Sequence, residues 1–377
     1  MVPTDSTLLM LRLLLRLEKN DISITPLSKE DPQIRTFNDL MSHTEDIKGD
    51  PKRTEQFVKM CVALQQFVGD QLKVPTTELL EIFGKMIINS FSICSGEMQP
   101  IGAGVYLSPS ILDHSCCPNA TTVFDGNKLY VRAVEDIGDI SEVRVSYIDQ
   151  LATTSERKQQ LMEQYYFTCN CVMCRDKQRD QKLSSLRCPT TGCDGVVSQN
   201  HDGVQHTCLV CGKDTFSEEY LSKCSSSSAD AEQILKKIAE AKKEKDFKMV
   251  LELSGHCLSE VSDHLHPMHI LMIRLHDSAF DACIELQKWD LALVYASKTT
   301  EAYREFYAAY HPNLGIHLMK IGKMQQYLKQ IEPALKNLQQ AEDILHVSHG
   351  KSHSLCQDLK ILLKQCEEEL RIQQGRT

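Results

Sequence analysis

The sequence predicts an α+β protein in which helices open and close the chain and small antiparallel sheets lie between them. Three observations lead there. Apolar residues recur at three- and four-residue intervals over roughly the first ninety and the last hundred and fifty positions, the spacing of one helix face. Short β-branched and aromatic runs separated by turn residues fill 89–149. Closely spaced cysteines occupy the stretch that follows.

The elements follow in order. Thr4 or Asp5 caps a helix expected to run to about Lys19, and residues 54–68 carry apolar positions at Phe57, Val58, Cys61, Leu64 and Phe67. Thr76 or Thr77 caps a further helix through Ile88. The runs Thr121 to Phe124, Leu129 to Val134 and Val143 to Ile148 read as strands, and Asp125-Gly126-Asn127 as a hairpin turn. A helix from Ser155 to Tyr165 leads into the cysteine-rich stretch, which is expected to end at a spacer, Ser225 to Ser228. From Ala229 onward all is helix, with breaks near Pro267, Lys288, Pro312 and Gly350. The pair His266-Pro267 recurs as His311-Pro312 after 45 residues, and Asp290-Leu-Ala-Leu resembles Glu332-Pro-Ala-Leu 42 residues later. Stacked helical hairpins of a tetratricopeptide-like kind explain this spacing, with Ala292, Ala296 and Ala334 as small residues at helix crossings.

Length and charge exclude several classes. At 377 residues the chain buries enough core to fold as a monomer without disulfides. The leucine-rich segment Leu8 to Leu17 is broken by Arg12 and Arg16, so it makes neither a membrane span nor a signal peptide. With 42 Lys and Arg against 51 Asp and Glu, the formal net charge of -9 argues against charge-driven binding to nucleic acid. Half of the 16 cysteines fall between Cys169 and Cys224, in short sets that suit zinc thiolates and a reducing compartment, cytoplasm or nucleus.

Cys169-Asn-Cys171-Val-Met-Cys174 lets one turn wrap three thiols around a tetrahedral ion. The fourth ligand is open between Cys116 and Cys117 of Asp113-His-Ser-Cys-Cys-Pro-Asn119. Cys188-Pro-Thr-Thr-Gly-Cys193 and Cys208-Leu-Val-Cys211-Gly212 form a second zinc set of ribbon type, read as a structural staple. Cys61, Cys94, Cys257, Cys283, Cys356 and Cys366 are expected on apolar helical faces in the core. The lysines from Lys236 to Lys245 alternate with Glu232, Glu240 and Glu244 and read as a solvated helix face. His264, His266 and His269 read as a loop before a helix rather than a metal site.

Taken singly, Tyr147 is an ordinary core tyrosine, His114 a structural histidine and Asn89 a helix cap. Their joint order is more specific. Asn89-Ser-Phe91-Ser-Ile-Cys94, Gly102-Ala-Gly-Val-Tyr106, Asp113-His114-Ser115-Cys116-Cys-Pro118-Asn119, Arg132-Ala133-Val134 and Val145-Ser-Tyr147-Ile-Asp149 resemble SET domains. Tyr165-Tyr-Phe167-Thr-Cys169-Asn-Cys171-Val-Met-Cys174 resembles the zinc motif that follows such domains. With the helical segment before and the helical tail behind, the chain is similar to the SET and MYND family, whose members are S-adenosylmethionine-dependent protein-lysine methyltransferases.

The resemblance implies a helical insert of a split SET domain at 1–88, a SET core at 89–149, a post-SET zinc region at 150–176, a zinc ribbon with linker at 177–224 and a tetratricopeptide-like domain at 225–377. It implies that Tyr147 is catalytic, that His43, Asn89, Ser110, Leu112, Asp113, His114, Tyr147 and Phe167 surround the cofactor, and that Phe91, Tyr147 and Tyr165 line the lysine channel. Cys116, Cys169, Cys171 and Cys174 would hold one zinc ion, besides that of Cys188, Cys193, Cys208 and Cys211. The chain departs from the family pattern where Asp113 replaces an asparagine and where Ile140-Ser141-Glu142 replaces a Gly-Glu-Glu turn. With no cysteine before Cys61 and no glycine before Gly49, the MYND finger and the Gly-rich cofactor turn are expected to fall outside it.

The expected partner is a lysine of a histone or another protein, with a peptide or chaperone at the helical tail. Two other functions stand beside the enzyme. One is a zinc-stabilised protein-interaction module whose SET core is catalytically impaired, and the other a ribbon that binds nucleic acid, which the acidic balance disfavours.

Overall fold

A computed structural model of the chain describes residues 4–19, 25–26, 34–69, 73–199 and 206–375. Two compact units emerge, Met1–Tyr147 with Lys158–Cys169, and Ile148–Arg157 with Asn170–Thr377. The architecture is α+β, as expected, and among the described residues no helix is long and apolar enough to cross a membrane.

The first unit begins with α1 (Asp5–Glu18), where the Thr4 hydroxyl accepts from the Thr7 N–H at 3.3 Å. The short strands β1 (Thr25–Pro26) and β2 (Ile34–Arg35) pair antiparallel. Helices α2 (Thr44–Gly49), α3 (Pro51–Val68) and α4 (Thr76–Asn89) follow. Helix α3 begins earlier than periodicity suggests, because Asp50 caps it and Pro51 takes the first helical position. Its buried residues are Phe57, Met60 and Leu64, whereas the expected core positions Val58 and Phe67 are exposed. Met10 and Leu14 of α1 join these residues and Leu79, Ile82, Phe83 and Met86 of α4 in one apolar core.

Three strand pairs come next. β3 (Ser90–Cys94) pairs antiparallel with β4 (Pro100–Val105), and β6 (Ala120–Asp125) with β7 (Lys128–Ala133). The second hairpin turns through Gly126 and Asn127, with Gly126 at φ 62°, where a two-residue turn of this kind favours glycine. Cys94 thus ends a strand rather than lying on a helical face. The run expected as a strand from Val143 to Ile148 shortens to β8 (Arg144–Val145), which pairs parallel, not antiparallel, with β5 (Asp113–His114). Helix α5 (Thr154–Tyr165) matches the expected helix within a residue.

The second unit holds α6 (Val172–Arg175), α7 (Lys177–Leu183), the three-stranded ribbon of β9 (Leu186–Arg187), β10 (Val196–Gln199) and β11 (His206–Cys208), and then helices to the end. Ser225 to Ser228 do not form a spacer. They lie inside α8 (Glu218–Lys243), capped by Ser217. Serine is tolerated there because Ser227 is buried against His264, 2.9 Å from its Nδ1, and the Ser228 hydroxyl donates to the Cys224 carbonyl one turn back.

Six helices follow: α9 (Phe247–Val261), α10 (Ile270–Glu285), α11 (Trp289–Phe306), α12 (Pro312–Tyr327), α13 (Ile331–Ser348) and α14 (Ser354–Gln373). Their period is 42 residues. His269, His311 and His353 stand at equivalent places, each the N-cap of its helix with Nδ1 accepting the N–H two residues on. Lys245, Gln287 and Lys329 share the same left-handed turn conformation, φ 58°, 55° and 61°. The recurrence of His-Pro after 45 residues is therefore not the structural repeat. His266 sits three residues before the true cap and accepts from the Met268 N–H in a turn of its own. Ala292, Ala296 and Ala334 are buried at crossings as expected, and an added Cβ at Gly322 would run into Leu338.

Candidate functional site

Tyr147 lies two residues beyond the end of β8, and β8 is held by Asn119, whose Oδ1 accepts from the Arg144 N–H at 2.7 Å while its Nδ2 donates to the Glu142 carbonyl at 3.0 Å. Parallel pairing sets Asp113 opposite Arg144 and His114 opposite Val145. Beyond the strand, the Tyr147 N–H donates to His114 Nδ1 at 3.0 Å and the phenol donates to the Leu112 carbonyl. An accepting Nδ1 places the proton of a neutral ring on Nε2, 3.3 Å from Cys116 Sγ. One imidazole thus accepts from the tyrosine backbone and donates to the Cys116 sulfur.

Four rings gather here. Tyr147 lies 5.1 Å from Tyr165, 5.2 Å from His114 and 6.3 Å from Phe167, and Phe167 lies 5.8 Å from His114. Burial, then the Asp113 carboxylate and the Tyr165 phenol, push the Tyr147 hydroxyl up to about 12. Burial raises Tyr165 as well. Both phenols therefore stay neutral and keep a proton to donate at physiological pH.

The other residues singled out by sequence lie around this cluster in different ways. Asn89, at the end of α4, donates to the carbonyls of Met41 and Lys85 at 3.0 and 2.8 Å and so tethers the loop before α2. His43 is in that loop, left-handed at φ 50°, with Nδ1 2.9 Å from Asp46 and its ring 5.5 Å from Tyr166. The loop packs onto a bare backbone, since a Cβ on Gly84 would collide with the Ser42 carbonyl. The Ser110 hydroxyl donates to Leu107 O at 2.6 Å and accepts from Arg35 Nε at 3.1 Å. Asp113 is largely exposed, 3.9 Å from the Arg144 guanidinium. Phe91 makes its ring contact with Tyr106 at 6.0 Å, and Tyr106 in turn with Phe124, a set separate from the four rings.

Both cysteine sets close. Cys116, Cys169, Cys171 and Cys174 bring their four sulfurs within 4.8 Å of one another, and so do Cys188, Cys193, Cys208 and Cys211. Cys117 is exposed and outside the first group. Zinc–sulfur bonds of about 2.3 Å in a tetrahedron put the sulfurs roughly 3.8 Å apart. In the ribbon, Cys188 to Cys211 and Cys193 to Cys208 are each 3.7 Å, so the donor set fits zinc. Backbone N–H groups two residues on, from Gly195 to Cys193 and from Lys213 to Cys211, face the sulfurs, as thiolates require. Near the other set, Arg157 is 0% exposed, and its guanidinium lies 3.9 Å from Cys174 Sγ and 3.4 Å from Met173 O. A buried guanidinium beside a thiolate offsets its charge. Sequence reading missed Arg157, Asn119 and Tyr166, whose roles depend on chain-distant partners. His264, His266 and His269 form no metal group among the described residues. A polar cavity of about 550 Å³ opens beside the ribbon, lined by residues such as Thr190, Tyr220, Asp263 and His264 and by none of those around Tyr147.

No protein-family profile matches the chain. Curated proteins do. Histone-lysine N-methyltransferase SMYD3 of Mus musculus is 33% identical over 374 residues, 98% of this chain and 77% of that protein. Histone-lysine N-methyltransferase ASHR1 of Arabidopsis thaliana is 28% identical over 97% of this chain and 76% of its own length. N-lysine methyltransferase SMYD2-A of Xenopus laevis is 27% identical over 95% and 76%.

Proposed function

Since the chain belongs to the SET and MYND family and is an S-adenosylmethionine-dependent protein-lysine methyltransferase, we propose that Tyr147 is its catalytic residue and that the rings around it receive the cofactor and the substrate lysine. The observation that carries this assignment is the neutral Tyr147 phenol with three aromatic rings packed around it, fixed at its backbone by His114 and at its hydroxyl by Leu112 O.

S-adenosylmethionine supplies a methyl group on a positively charged sulfur. The residues present suit such a group: ring faces attract a cation, Asp113 adds negative charge near the rings, and the Leu112 carbonyl adds an acceptor. His43, Asn89, Ser110, Leu112, Asp113, His114, Tyr147 and Phe167 are the residues we assign to the cofactor. Phe91, Tyr147 and Tyr165 are assigned to the lysine channel. A lysine attacks only as the free amine, and an aromatic channel desolvates its ammonium form and lowers its pKa. Tyr147 then orients the amine, and the proton released by methylation leaves to water.

Histones are the proposed substrates, in keeping with the names of SMYD3 and ASHR1. The 42-residue helical repeat supports a peptide or chaperone partner on the tail, since stacked hairpins expose an extended surface. Eight of the cysteines fall in two sets that suit zinc thiolates rather than disulfides, which supports residence in cytoplasm and nucleus, and the apolar clusters buried within the chain support a monomer.

Calorimetric titration of S-adenosylmethionine into the zinc-loaded chain tests the reading, followed by transfer of labelled methyl groups to core histones. Micromolar binding and a transfer that Tyr147→Phe lowers about 100-fold are expected. A folded, zinc-loaded chain that binds no cofactor would overturn it.

A further inference from the structure

Helix α5 ends on an unusual residue. Tyr166 donates its N–H to the Met162 carbonyl at 3.1 Å and takes φ 59°, the left-handed position after a helix that glycine ordinarily fills. A side chain there crowds its own carbonyl, so a tyrosine persists only where its surroundings hold it. Those surroundings are specific. The Tyr166 hydroxyl donates to Asp50 Oδ2 at 3.3 Å, and Asp50 is already fixed as the cap of α3, accepting from the N–H groups of Lys52 and Arg53. Arg53 reaches back to the carbonyl of Glu163 in the last turn of α5 at 3.3 Å. The other side of the Tyr166 ring meets His43 at 5.5 Å, itself a non-glycine residue in the left-handed region.

The consequence falls on its two neighbours. Tyr165 and Phe167 both pack against Tyr147, at 5.1 and 6.3 Å, and against each other at 6.4 Å, and the left-handed Tyr166 lies between them in the chain. We infer that Tyr166 is a positioning residue: its anchorage to Asp50 and His43 holds the left-handed turn that aims Tyr165 and Phe167 at Tyr147. The residue touches none of the reacting groups. Its effect runs through the orientation of the two rings, and the same anchor ties His43 to the site.

This inference rests on the proposed roles of Tyr165 and Phe167, and the test separates the two. Glycine at 166 relieves the backbone conformation but removes the anchor and the ring's packing on the core, so a merely structural residue would shift the melting temperature and leave the folded enzyme's affinity and kcat unchanged. The zinc-loaded parent, Tyr166→Gly and Tyr166→Phe are compared by thermal melting, by calorimetry with S-adenosylmethionine, and by methyl transfer to core histones with kcat and KM resolved. Tyr166→Gly is expected to stay folded at the assay temperature while binding the cofactor more weakly and losing about 10- to 100-fold in kcat. Tyr166→Phe keeps the contact with His43 and loses only the bond to Asp50, so it should fall between the two. A glycine variant with the parent's affinity and kcat would overturn the inference while leaving the proposed function intact. A parent that binds no cofactor would overturn both.

Discussion

Gly195 offers the sharpest test of the ribbon, because the cost of a single methyl group there follows from geometry. The residue sits between the two knuckles, with its N–H facing Cys193 Sγ and its carbonyl accepting from the Cys188 N–H at 3.1 Å. An ideal Cβ at this position would stand 3.0 Å from Cys193 Sγ and overlap Cys208 Sγ. Non-bonded heavy atoms need roughly 3.5 to 4 Å, so Cys208 would have to retreat by about 1 Å. Zinc tolerates about 0.2 Å of change in its ligand distances. Gly195→Ala should therefore lose the ribbon zinc, or bind it at least about 100-fold more weakly, while the group around Cys116 keeps its own. Metal content after dialysis against a graded series of chelators should fall from two ions per chain to one, the number of four-cysteine groups left. Gly49→Ala, where an added Cβ meets nothing within 4 Å, is the control. If Gly195→Ala keeps both ions with the parent's resistance to chelator, the argument from sulfur geometry is wrong.

Other expectations follow from single contacts. Tyr147→Phe should lower methyl transfer about 100-fold while cofactor affinity changes little, since one donor is lost and every ring remains; an equal fall in affinity would count against an orienting role. Gly84→Ala should displace the Ser42–His43 loop, because its Cβ would strike the Ser42 carbonyl, and should weaken cofactor binding along with a lowered melting temperature; unchanged values for both would refute this. Stability should also fall in mild acid. Burial holds His269, His276, His311 and His317 down at about 4, below the 6.5 of an unfolded chain, so the unfolded state takes up protons first and stability is lost as pH drops from 6.5 towards 4. Asp277 opposes them. Burial, then the Asp281 charge, raise it to about 7, so its protonation favours the fold as pH drops from 7 towards 3.8. Between pH 7 and 5.5 the histidines together remove about 5 kcal/mol and Asp277 restores about 2 kcal/mol. Asp277→Asn should therefore steepen the loss measured by denaturant unfolding at the two pH values, and a shallower slope would contradict it.

What could be read from the sequence was local. The Thr4 cap, the turn at Gly126, the helix ending at Tyr165 and the two cysteine sets each rest on residues a few positions apart. The misreadings have a common origin in contacts that local pattern does not encode. Serine favours turns in isolation, yet Ser225 to Ser228 continue a helix because His264, some forty residues away, receives Ser227. The repeat was visible in Asp290-Leu-Ala-Leu and Glu332-Pro-Ala-Leu, but the dipeptide His-Pro drew the register to 45. Only the caps show that His269 answers to His311. Val58 and Phe67 have the right spacing for a core and face outward, since α3 buries a narrower stripe than its apolar residues suggest. Arg157 carried no signal at all, because its partner is a sulfur cluster that exists only once the chain has folded.

The same dependence on distant partners explains why the zinc region and the tyrosine belong to one device. Tyr147 is fixed by the Leu112 carbonyl at one end and by His114 at the other. His114 can accept from the Tyr147 N–H only while its proton resides on Nε2, and Nε2 faces Cys116. A thiolate there accepts that proton's hydrogen bond, whereas a thiol brings a competing donor and loosens the choice of tautomer. Zinc held by Cys116, Cys169, Cys171 and Cys174 would keep Cys116 as a thiolate. With such an ion in place, the His114 imidazole would link the Cys116 sulfur to the backbone of Tyr147, although none of the four cysteines belongs to the aromatic cluster.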